Sequence, residues 1–171
     1  MAGATFAVNG GSFTINAANT VTFSRAGTTT LSGSTIGNST FGNLTINSGA
    51  TVSAPNANIN ITGVWSNSGS FNPNNGTVTF NGGTQNINAN GQPFWNLITD
   101  AGTKTLTGNL DINGTLTINT GSTVNGSSFN INIADTWDNN GTFNAGTSTV
   151  IFDGTTQTID ANTSAFNNVT L

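Results

Sequence analysis

The chain has 171 residues and a formal net charge of −4, with 34% hydrophobic but only 5% charged residues, where about 25% charged is usual for soluble domains. Two cations, Arg25 and Lys104, are too few to grip a phosphate backbone or an anionic membrane surface. No stretch approaches the roughly 18 apolar residues of a membrane span, and the absence of cysteine excludes disulfides and thiolate metal sites.

Taken in chain order, "MAGATFAVNGG" has no basic region followed by an apolar run, so it does not read as a signal peptide. An exported protein would then carry this chain as a mature segment or an excised piece. "ATFAV" (4–8) is the first strand-like piece, followed by "TVTF" (20–23) and "FGNLTI" (41–46). The series continues with "TVTF" (77–80), "QNINA" (85–89), "WNLIT" (95–99), "KTLTG" (104–108), "TLTIN" (115–119), "STVNG" (122–126) and "NINIA" (130–134). Gly, Asn, Asp or Ser bounds each piece, as turns require. Side chains alternate between two faces, so Val78 and Phe80 point one way and Thr77 and Thr79 the other. No significant helix is expected, because Glu is absent and Gly or Asn interrupts every stretch.

The chain also repeats itself. Residues 43–65 fall on 115–137 with twelve of 23 positions identical, and 66–98 fall on 138–170 with fifteen of 33 identical, without a gap. The shift of 72 aligns Trp65 with Trp137, Phe71 with Phe143, Phe80 with Phe152, Gln85 with Gln157 and Phe94 with Phe166. The N-terminal part is a looser copy at offsets of 58, 57 and 53, as though segments about one coil long had been gained or lost. Stacked repeats tolerate such changes, because each coil touches only its neighbours. The expected fold is therefore all-β: a parallel β-solenoid (β-helix), right-handed by the rule for parallel crossovers, with coils of 18 to 20 residues holding two or three short strands. Roughly nine coils at about 4.8 Å each would make a rod on the order of 40 Å long. The organisation is one domain over 1–171: a divergent part (1–42), a repeat (43–114) and an incomplete repeat (115–171). Copies of a charge at a repeating position would repel one another from coil to coil, which is a reason for so uncharged a composition.

No pattern of catalytic, cofactor-binding or metal-ligating residues stands out. Trp95 takes the place of Gly42 and Asn167 in the other copies, so it is expected to point outward as an exposed contact. Asp135 and Asp138 flank Trp137, a carboxylate pair beside an aromatic, which would be a carbohydrate site. Their counterparts are Gly63 and Ser66, so the pair is not part of the repeat and reads more simply as variation on a turn, with Trp65 and Trp137 packed inside. Thr-x-Thr pieces raise ice binding, but their spacing along the chain is irregular.

The stretches "GTVTFNGGTQNINANGQPFWNLI", "GNLDINGTLTINTGSTVNG" and "WSNSGSFN" resemble the β-strand repeats of very large bacterial cell-surface proteins, adhesin-like solenoids among them. The resemblance implies an extracellular, structural or adhesive role and defines no catalytic residues. The expectation is a non-enzymatic spacer, filament subunit or adhesive surface without cofactor. Its partners would be further copies stacked head to tail, neighbouring coils of a longer chain, or surface glycans. A carbohydrate-binding or carbohydrate-cleaving β-helix is the alternative, and an ice-binding solenoid a further one.

Overall fold

The computed structural model describes residues 3–171; Met1 and Ala2, the first residues of the N-terminal stretch read above, lie outside it. The chain is an all-β parallel solenoid of about eight turns. Among the described residues the one helical element is a single 3₁₀ turn, Ile36–Asn38. Every strand pairing is parallel, and strands alternate around three faces. Face I carries Ala4–Ala7, Gly27–Ser32, Ala50–Ser53 and Ser70–Asn72, then Pro93–Phe94, Leu110–Ile112, Asn130–Ile133, Thr149–Phe152 and Asn168–Thr170. Face II runs through seven strands from Thr40–Phe41 to Thr158–Asp160, and face III through seven from Thr20–Phe23 to Thr142–Asn144. Turn length varies. Pro93 pairs with Asp111, 18 residues on, whereas Thr20 pairs with Asn43, 23 on, and Ala4 with Thr29, 25 on. The longer N-terminal turns account for about eight coils where a fixed coil of 18 to 20 residues gives roughly nine.

Alternation fixes which side chains form the core. In Thr77–Phe80, Val78 and Phe80 are buried and the threonines half-buried, and Leu116 and Ile118 are buried in their own strand. Each such residue contributes about 1.5–3 kcal/mol of apolar burial. Two aromatic clusters anchor the interior. Trp65 lies 4.9 Å from Phe71, 5.2 Å from Phe94 and 6.2 Å from Phe80. Its counterpart Trp137 lies 4.8 Å from Phe143, 5.0 Å from Phe166 and 6.4 Å from Phe152.

These two clusters, identical in sequence pattern, do not sit on the same faces. Trp65 is on face III, paired with Leu44, while Trp137 is on face II, paired with Leu116. The shift of 72 carries Asn43–Ile46 from face III to Leu116–Ile118 on face II, Ala50–Ser53 from face I to Ser122–Asn125 on face III, and Asn58–Ile61 from face II to Asn130–Ile133 on face I. Each step is eleven strands, one short of four full coils. Equivalent strands therefore do not stack directly above one another, as a pure translation would place them; the repeat advances and turns back by one face. The looser N-terminal copy obeys the same rule. Thr20–Phe23 on face III corresponds to Thr77–Phe80 on face II, eight strands on. Eleven less eight is three strands, the length of one coil, so the indel read from the sequence is a whole turn. This works because all three faces present the same alternation of apolar and polar side chains to a common core.

Candidate functional site

Corners carry most of the buried polar chemistry. Asn67 accepts from Gly69 N–H (2.9 Å) and donates to Ala89 O (3.4 Å), and its counterpart Asn139 accepts from Gly141 N–H (3.0 Å) and donates to Ala161 O (3.1 Å). Gln85 is buried, donating to Ile61 O and Gly63 O and accepting from Gly82 N–H, each at 2.8 Å. One coil on, Lys104 stands in register with Gln85 and is fully buried. Its ammonium donates to Gly82 O (2.7 Å), Asp100 O (3.4 Å) and Ala101 O. Burial lowers the Lys104 pKa to about 8, with the Asp100 carboxylate acting in the opposite sense. A lysine between two threonines did not stand out in the sequence as a core residue. The signal was there: in "TKTL" it shares the inward phase with Leu106.

Trp137 is fully buried, so it offers no face to a sugar, and the carbohydrate site sketched around Asp135, Trp137 and Asp138 is corrected on that point. Alternation sends Trp137 inward and Asp138 to the outer side of the same strand. Asp135 is exposed and accepts from the Thr136 hydroxyl at 3.3 Å. The carboxylate in register with Asp138 is Asp160, one coil on, and not Asp135. Asp138 accepts from the Asn140 amide at 2.8 Å and Asp160 from Asn162 N–H at 2.9 Å. Asp111 is half-buried; burial, and next the Asp153 carboxylate, raise its pKa above the ordinary carboxylate value.

The outer side of face III is more regular than the sequence suggests. Thr84, Thr103, Thr123 and Thr142 stand in one register column, beside a column of Asn86, Thr105, Asn125 and Asn144. The second column is bonded to itself: Asn144 donates to Asn125 at 3.0 Å and Asn125 to Thr105 at 3.3 Å. Those amides tie coil to coil, as stacked amides do in cross-β assemblies, and that half of the face is not a free hydroxyl array.

Trp95 is 37% exposed. It sits at the corner between Pro93–Phe94 and Asn96–Thr99, where Phe94 and Leu97 point inward and Trp95 outward. Its column neighbours are glycines. Gly76 precedes Thr77, which pairs with Asn96, and Gly114 N–H donates to Trp95 O at 2.8 Å. A Cβ at Gly114 would lie 2.5 Å from the Asn96 side-chain oxygen and 2.9 Å from Trp95 O, so the close approach of the Asn96 and Trp95 corner requires glycine there. Trp95 edges a cleft of about 470 Å³, also lined by Asn72, Asn75, Gln92, Pro93 and Asn113. The cleft opens where face I is interrupted. Ser70–Asn72 closes one ladder and Pro93–Phe94 begins the next, without hydrogen bonds between the two strands. Pro93 has no N–H to donate, and the Phe71 N–H donates to the Gln92 side-chain oxygen at 3.4 Å. The second copy does the same with Phe143 N–H and the Ser164 hydroxyl at 2.9 Å.

Comparison with protein-family models, with curated proteins and with solved structures finds no match for the chain.

Proposed function

We propose that this protein is a non-enzymatic structural and interaction module, an extracellular solenoid that serves as a filament subunit, spacer or adhesive surface and associates end to end. The observation that carries this reading is the open edge of the last described coil. Thr158–Asp160 and Asn168–Thr170 each pair with one neighbour only. Ile159, Val169 and Leu171 are 43%, 46% and 87% exposed there. At the other end Ala4–Ala7 is likewise paired on one side, over the partly buried Phe6, Val8 and Phe13. Unpaired backbone beside apolar ladder residues is a template for further parallel pairing. The seat is the same whether the coil that fills it belongs to a second copy or to more of one chain. One end differs from the other, so the contact is heterologous and propagates instead of closing into a two-fold dimer. The resemblance of the repeat sequences to those of large bacterial cell-surface proteins supports the extracellular setting.

Sedimentation velocity of the 171-residue chain over a wide concentration range tests this. The parent is expected to grow into a distribution of end-to-end species, and Ile159→Asp with Val169→Lys to hold it as a monomer. A parent that stays monomeric throughout, or a doubly substituted variant that assembles equally well, would refute the reading.

A further inference from the structure

We propose that the cleft at the interruption of face I binds a neutral oligosaccharide, with Trp95 as the stacking platform and the amides of Asn75, Gln92 and Asn113 as partners for sugar hydroxyls. The proposal is independent of end-to-end assembly, because the cleft lies on the flank of the solenoid between the Ser70–Asn72 and Pro93–Phe94 strands.

Four observations converge on it. First, the cleft has the size of a small-ligand site: about 470 Å³ within the usual range of about 300–1,000 Å³. Second, Trp95 stands between Gly76 and Gly114 in its column, so no side chain from the adjacent positions stacks on the indole. The negative face of an aromatic ring attracts partial positive charge, and the C–H face of a pyranose supplies it without a formal charge.

Third, the polar lining is neutral and partly uncommitted. Asn74 is held by the Ser53 hydroxyl at 3.2 Å and by Ala54 O, and Asn72 by Asn74 N–H at 3.2 Å. By contrast, the side-chain amides of Asn75 and Asn113 make no hydrogen bond among the described residues, and Gln92 uses only its oxygen. An amide offers donor and acceptor together, which suits a hydroxyl that is both. The lining holds no carboxylate for an ammonium ligand and no cation for an anionic one. A polyproline peptide docks in grooves lined by several aromatics, whereas Trp95 is the one exposed aromatic here.

Fourth, the other copy lacks these features. The shift of 72 replaces Pro73 with Ala145, Pro93 with Ala165 and Trp95 with Asn167, while Phe94 and Phe166 keep their place in the aromatic clusters. Packing therefore does not require the tryptophan or the prolines, and the three departures fall together around one cleft.

Trp65 and Trp137 are buried and Trp95 is exposed, so a soluble quencher reads Trp95 selectively. The experiment is acrylamide quenching of the intact protein with cellohexaose, mannohexaose and chitohexaose, each titrated to about 10 mM, a weak-binding ceiling of a few kcal/mol. Hexagalacturonate and decaproline serve as the charged and peptide probes. At least one neutral hexasaccharide is expected to shield Trp95 saturably. By calorimetry Trp95→Ala should abolish that binding and Asn113→Ala weaken it at least about threefold, under 1 kcal/mol at RT ln 3, with both melting temperatures unchanged. The proposal is overturned if no neutral hexasaccharide shields Trp95, if binding survives Trp95→Ala, or if hexagalacturonate or decaproline shields it better.

Discussion

Replacing Phe94 by alanine should cost far more than replacing Phe166, although the two are repeat equivalents in nearly the same ring environment. Phe94 has ring centroids at 5.2, 5.7 and 6.2 Å from Trp65, Phe71 and Phe80; Phe166 has them at 5.0, 5.9 and 6.1 Å from Trp137, Phe143 and Phe152. Their burial differs: Phe94 is 0% exposed with coils on both sides, whereas Phe166 is half-buried near the open end. Phe94→Ala leaves a closed cavity and should lose about 3–5 kcal/mol, the range for buried phenylalanines. Phe166→Ala removes a ring already in contact with water and should lose about 0.8–1.5 kcal/mol, half the value of full burial. Urea unfolding at low protein concentration, where end-to-end contacts are sparse, measures both. Coils of a solenoid can unfold separately, so hydrogen exchange at the Asn96–Thr99 and Asn168–Thr170 strands should accompany it. Equal losses, or a larger one for Phe166, would refute the argument that burial in a continuous stack sets the cost of each ladder residue.

Three other perturbations have definite signs. Lys104 has a pKa of about 8 when folded and 10.5 when unfolded, so between these values the unfolded chain holds a proton that the folded one gives up. Stability should then rise with pH across that window and fall as pH drops through about 8, and Lys104→Gln should flatten the dependence; urea midpoints at a series of pH values that show no rise, or the same rise in the variant, would contradict it. Asp111 has the opposite sign: its folded pKa is raised, so its contribution is complete at low pH and is lost as pH climbs through the folded value. Asp111→Asn should therefore raise the melting temperature at neutral pH more than in acid, and an equal change at both would sink the assignment. At Gly82 a Cβ would lie 2.0 Å from Thr62 O in the preceding coil, whereas at Gly83 nothing lies within 4 Å. Gly82→Ala should force adjacent coils apart at about 2 kcal/mol or more, and Gly83→Ala should be nearly neutral by the same denaturation assay.

Strand alternation and its inward set were readable because a buried stripe with period two leaves the same mark in every coil: Val78 with Phe80 and Leu116 with Ile118 are inside. The outward setting of Trp95 was readable from its replacements, Gly42 and Asn167. The rotation of the repeat by one face was not, since Trp65 and Trp137 meet equivalent surroundings from different faces and only the pairings Leu44–Trp65 and Leu116–Trp137 tell them apart. The cleft escaped notice because it is made by Pro73 and Pro93, twenty residues apart, and by Asn113 from the next turn, which come together only once the coil length is known. The column of Thr84, Thr103, Thr123 and Thr142 was hidden for another reason: only Thr103 belongs to a Thr-x-Thr piece, and the other three are followed two residues on by Asn. The partnership of Asp138 with Asp160 depends on the same register.

Electron cryomicroscopy of the protein at micromolar concentration tests end-to-end association most directly. The account predicts filaments one solenoid wide, in which the spacing of about 4.8 Å between parallel strands runs unbroken across each junction and Ile159, Val169 and Leu171 are covered by the first coil of the next copy. Single rods at every concentration, or pairs joined flank to flank with the terminal coils still open, would contradict it.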